Sequence, residues 1–69
     1  MDTVEVTVSL PRSLLPAAGI REEDLDHVLR EALAVDLYRR GHLSLGKAAE
    51  LAGAATKVEM AAILAKHDV

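Results

Sequence analysis

The stretch that most constrains this chain runs from Tyr38 to Gly53, YRRGHLSLGKAAELAG. Arg39 and Arg40 put cations where a helix C-terminus favours them, and Gly41 suits the left-handed residue that closes a helix. Ser44 is placed to cap the next helix by accepting from its free N–H groups. Leu45, Ala48, Ala49 and Ala52 then share one face, and small side chains there permit close approach of another helix. Gly53 marks a tight turn, and Thr56 with Glu59 has capping-box spacing for a further helix. Helix, short turn, helix, with Ala49 four residues before Gly53, is the pattern of a helix-turn-helix. It identifies a fold unit more than it identifies a reader of DNA.

Upstream, Thr3 to Leu10 alternates strictly. Val4, Val6, Val8 and Leu10 point one way; Thr3, Glu5, Thr7 and Ser9 point the other. This predicts an N-terminal strand. No second strand is present in the sequence, so the pattern predicts antiparallel pairing with the same strand of a second copy, making Val4, Val6, Val8 and Leu10 a dimer strand. The competing reading is a tether folded onto the chain's own helices. On the paired-strand reading, Val6→Asp abolishes dimers and unfolds the domain.

Pro11 ends the strand. Arg12 to Ala18 allows a short helical turn, restricted by Pro16 and closed by Gly19. A long helix then starts near Glu22 and runs to about Arg40. Ile20 and Leu25 have hydrophobic-staple spacing, and Glu22, Glu23, Asp24 and Asp26 suit the positive end of the helix dipole. Leu25, Val28, Leu29 and Ala32 form one apolar face, while Leu33, Leu37, Val35 and Tyr38 spread round the rest, which predicts more than one neighbour. Asp36 is expected to pair with Arg39 or Arg40. On the last helix, Val58, Ala61, Ala62 and Ala65 are expected to be the buried stripe, leaving Met60, Ile63 and Leu64 off it. The whole is a single mainly α domain, 1–69: strand and short turn in 1–19, long helix in 20–41, helix-turn-helix in 42–69.

Sixty-nine residues with no cysteine, phenylalanine or tryptophan leave Leu, Val, Ile and Ala to build the core. So short a chain buries only about 60% of its unfolded surface, which favours association with a partner. Eleven acids against eight bases give a net charge of −3, unlike a nonspecific polyanion binder. No apolar run spans a membrane and Met1-Asp2-Thr3 does not begin a signal peptide, so a cytoplasmic protein is expected.

Nothing in the sequence is organised for catalysis, and no cofactor or metal is expected. His27, His42 and His67 lack ligand spacing and read as surface or boundary residues, and Ser44 is explained as a cap. A metal held by Glu22, Glu23, Asp24 and Asp26 is outweighed by a solvated helix start. For DNA, the polar strand face carries no cation, and the four acids would repel phosphate. Arg39, Arg40, Lys47 and Lys57 are the candidate DNA contacts. Protein binding fits better. Met60, Ile63, Leu64 and His67 are the candidate contacts, since they exceed what an internal core requires and methionine adapts to partners.

The same words resemble a known family. The valine-rich segment ending in Leu10-Pro11, the REALAVDLY run from Arg30 to Tyr38, the YRRGHLSLGKAAELAG stretch and KVEM…ILAKH from Lys57 to His67 are similar to the small prokaryotic family catalogued as uncharacterised protein family 0175. Its members are regarded as antitoxins encoded beside PIN-domain ribonuclease toxins. The resemblance implies an antitoxin of a type II pair that neutralises such a toxin by binding. The lone strand and small core add the expectation of a homodimer, and the basic residues add that of repression of its own operon through operator DNA. Two departures stand out: Gly53-Ala54-Ala55-Thr56 is one residue longer than the usual Gly-x-Ser, and Asp68 replaces a usual glycine. Members also tend to continue into a partly acidic tail, and a toxin grip located there is expected to be missing from a chain ending at Val69. Strand followed by helix also resembles the ribbon-helix-helix architecture, with an abbreviated first helix. The alternative function is a small dimeric DNA-binding transcription regulator with a helix-turn-helix.

Overall fold

The structure, a computed structural model, describes residues 2–69; Met1, which opens the chain's first segment, lies outside the described residues. The described residues form four helices: α1 (Leu14–Ala18), α2 (Leu25–Arg39), α3 (Leu45–Ala52) and α4 (Lys57–Lys66). A single 3-10 turn, Glu22–Asp24, leads into α2. α2 packs mainly against α3, α3 packs against α4, and α2 and α4 touch more lightly.

The local signals act as hydrogen bonds. Ser44 Oγ accepts from Lys47 N–H at 3.2 Å, and Thr56 Oγ1 accepts from Glu59 N–H at 3.1 Å. Glu59 reaches back to accept from Ala55 N–H at 2.6 Å, one residue before the cap itself. Gly41 has φ 79° and Gly53 φ 76°, so both adopt the left-handed conformation that stops a helix. At each, the following N–H returns to a carbonyl five residues back: His42 to Leu37 and Ala54 to Ala49, both at 2.9 Å.

α3 presents Ala48, Ala49 and Ala52 inward, and all three are buried. An alanine face adds no side chain beyond Cβ, so α2 and α4 come close on either side. Ala34 and Val35 of α2 and Met60 and Leu64 of α4 complete the buried cluster. Met60 is the one large side chain among the described residues that is fully enclosed. Tyr38, Leu43, Leu45, Leu51, Ala54 and Ile63 pack around this centre.

Three expectations are corrected. The described residues contain no β-strand: residues 2–11 have no regular secondary structure. A ladder needs a second strand, the described residues supply none, and the alternation therefore stays unpaired. Val4, Val6 and Val8 are 85%, 74% and 61% exposed, and Leu10 is also exposed. With so little of Val6 buried, an aspartate at that position has no core to disrupt.

The other two corrections concern helix faces. On α4, Val58, Ala61, Ala62 and Ala65 point to solvent and Met60, Ile63 and Leu64 point inward. The reason is volume. The fully buried residues of α3 contribute only methyl groups, so the facing helix must supply its largest residues to fill the space. On α2, the buried positions are Ala34 and Val35, with Glu31 and Tyr38 beside them, while Leu29, Ala32 and Leu33 are exposed.

Candidate functional site

The residues expected to touch a toxin divide sharply. Met60 and Leu64 are core and offer no surface; Ile63 is half-buried against them. His67 is half-buried as well, but it bonds within the chain. α4's exposed face is instead Val58, Ala61, Ala62 and Ala65, with Val58 79% exposed.

His67 belongs to a charged knot that ties α4 to α2. At its centre is Glu31, whose side chain is only 12% exposed. Glu31 Oε1 receives Lys66 Nζ at 2.8 Å and His67 Nε2 at 3.0 Å. Its other oxygen faces His27 Nε2 at 3.3 Å. The Lys66 hydrogen bond, then that of His67, holds the Glu31 carboxyl below its ordinary value, against the opposite pull of burial. The α2 end is fastened too, since Arg39 donates to the His67 carbonyl at 3.3 Å. Glu31 was not singled out from the sequence. The available signal was an acid on α2's inward side, with a lysine and a histidine closing α4.

The four candidate DNA contacts are mostly engaged in cis. Arg39 holds the His67 carbonyl. Arg40 pairs with Asp36 at 3.0 Å and Lys47 with Glu50 at 3.2 Å. Lys57 has no carboxylate partner among the described residues, and its stem passes beside Gly46, where an added Cβ would lie 3.5 Å from Lys57 Cε. Of the other exposed charges, Arg12 pairs with Glu22, Arg21 with Glu23 and Asp24, and Arg30 with Asp26.

Two open grooves lie beside the N-terminal segment. The smaller, about 240 Å³, is bounded by residues from Val8 to Leu15 together with Glu22 and Leu25. The larger, about 1070 Å³, runs between Thr3–Thr7 on one side and Leu29, Leu33, Leu37, Leu43 and Leu51 on the other. Asp26, Arg30, Lys47 and Glu50 stand along it. The described residues contain no group of three or more His, Cys, Asp or Glu side chains set to hold a metal ion. No described helix is long and apolar enough to cross a membrane.

Taken together, these features define a small helical domain centred on a helix-turn-helix, with its cations largely paired and much apolar surface uncovered. The chain matches the family described as Uncharacterised protein family (UPF0175) over residues 1–69, its full length, and belongs to that family. No curated protein and no solved structure matches it.

Proposed function

We propose that this protein is the antitoxin of a type II toxin–antitoxin pair. It acts in the cytoplasm, without enzymatic activity of its own, by binding a PIN-domain ribonuclease and blocking it. The observation that carries this reading is the uncovered apolar outer face of α4, with Val58 79% exposed, on a molecule most of whose cations are already engaged: Arg39 on His67, Arg40 on Asp36 and Lys47 on Glu50. Each exposed ion pair contributes under about 1 kcal/mol, but a phosphate would have to displace it. Such a surface suits a protein partner more than a nucleic acid. The resemblance of the chain to an antitoxin family narrows that partner to a toxin.

With Met60 and Leu64 enclosed, the toxin contact falls to the outer face of α4, formed by Val58, Ala61, Ala62 and Ala65. A basic ribonuclease would also be drawn by the net charge of −3. Lys57 supports a secondary role on operator DNA. It stands at the start of the second helix of the helix-turn-helix, where such units meet bases and phosphates.

The test is co-expression with the product of the adjacent gene, followed by affinity capture, mass by light scattering and a ribonuclease assay. The expected result is a stable complex with the nuclease silenced, lost in Val58→Asp while helicity persists. Absence of any complex, together with promoter binding that weakens steeply with salt, would instead make the protein a transcription regulator.

A further inference from the structure

The chain is larger than its mass requires. Its solvent-accessible surface is 5438 Å². A compact monomer of 7.4 kDa exposes about 4,200 Å², so roughly 1,200 Å² is in excess. The radius of gyration is 12.8 Å, against about 11 Å for a compact chain of this length.

The uncovered apolar side chains are concentrated in one region. Val4, Val6, Val8 and Leu10 of the N-terminal segment and Leu29 and Leu33 of α2 are all exposed. Four of these, Val4, Val6, Leu29 and Leu33, face the same 1070 Å³ groove, with Leu37, Leu43 and Leu51 at its floor. No α4 residue lines it, so it is separate from the face assigned to the toxin.

We infer that this groove is the seat of a second copy of the same chain, which buries it in a two-fold contact. Three observations select that occupant. First, a standard interface buries about 800 Å² on each partner, within the excess this chain exposes. Second, one chain supplies both complementary parts, an apolar segment and an apolar trough. Under a two-fold axis, the segment of each copy covers the trough of the other. Third, the groove's lining carries little net charge: Asp26 pairs with Arg30 at 3.3 Å and Lys47 with Glu50 at 3.2 Å, leaving Glu5 as the one further charged residue. Two identical linings therefore meet with little like-charge repulsion, whereas a strongly charged partner gains little there. The contact is made by side chains of α2 and the N-terminal segment and requires no strand ladder.

The proposal is independent of the antitoxin reading, because its test uses the free chain. Sedimentation or light scattering is run from roughly 1 to 500 µM. Wild type is expected at twice 7.4 kDa in the upper part of that range. Leu33→Arg places two like charges across the axis and should weaken the dimer at least about a hundredfold. Since Leu33 is 49% exposed, the variant keeps its helical circular dichroism. Leu29→Lys gives a second variant of the same kind, and Val58→Arg, outside the groove, should leave the dimer unchanged. A wild-type chain monomeric throughout, a dimer surviving both groove substitutions, or a dimer lost only in Val58→Arg would each overturn the proposal. So would a monomeric free chain whose capture of the toxin is lost in Leu33→Arg, which would make the toxin the occupant.

Discussion

Two parts of this molecule are built on opposite terms. From Ala34 to Leu64 the chain encloses seven apolar residues, and each helix boundary has a hydrogen-bonded stop or start. Before Ala34 no described residue is buried, although valine and leucine are plentiful there. The difference is one of available neighbours. Alanine on α3 meets α2 and α4 within the chain. The alternating valines of the N-terminal segment have nothing of their own period to meet. Apolar content therefore measures the surface a segment must hide, while topology decides whether its own chain can hide it.

The largest expected effect breaks the comparison from the core side. Met60→Ala leaves a cavity at the one fully enclosed large side chain and should cost about 2–4 kcal/mol, read as a fall in the urea midpoint. In so small a domain that loss approaches the whole stability. The matching change in the N-terminal part, Val6→Asp, should alter the stability of the monomer by no more than about 0.5 kcal/mol. Unfolding by Val6→Asp under monomeric conditions would show that the N-terminal segment belongs to the core after all.

Next comes the charged knot joining α2 to α4. Glu31→Gln should cost about 1–3 kcal/mol at neutral pH, since it strips a mostly buried acceptor of its charge while Lys66 and His67 stay in place. The Glu31 carboxyl lies below its ordinary value in the folded state, so the unfolded chain binds its proton more readily. The contribution is therefore complete above the ordinary carboxylate value and is lost as pH falls through the depressed one. Urea titrations across that acid range should be flatter for Glu31→Gln than for wild type.

Smaller effects sharpen the boundaries. Thr56→Ala removes the cap of α4 and should cost about 1 kcal/mol in thermal unfolding. Asp68 takes a left-handed conformation, φ 61°, which glycine adopts without steric cost. Asp68→Gly should therefore stabilise by about 0.5 kcal/mol, after allowing for the greater freedom of glycine in the unfolded chain.

What was legible in the sequence was what is decided locally. Ser44, Gly53, Thr56 and Glu59 announce α3, its turn and α4 because each acts on backbone groups within a few residues. Pairing of Asp36 with Arg40 was legible for the same reason. The inward face of α4 was not, because apolar residues surround that helix and periodicity cannot choose between Val58–Ala61–Ala62–Ala65 and Met60–Ile63–Leu64. Only the volume left by alanines on α3 makes the choice. Glu31 was hidden because its partners lie 35 and 36 residues away, at the far end of α4. The valine alternation at Val4, Val6 and Val8 was plain, but it describes one side of a pairing whose other side the chain does not contain.

The central claim is that Ala34 to Leu64 closes on itself, while the N-terminal segment and the outer leucines of α2 are completed by a second copy. Methyl-resolved NMR over a dilution series tests it most directly. The claim predicts that Val35 and Leu64 signals keep fixed, dispersed positions at every concentration. Val4, Val6, Val8, Leu29 and Leu33 should move together as the protein is diluted, with intermolecular contacts between the two sets of methyls at high concentration. Dispersed signals from Val4 to Val8 that ignore dilution would contradict it, as would Val35 and Leu64 shifting along with them.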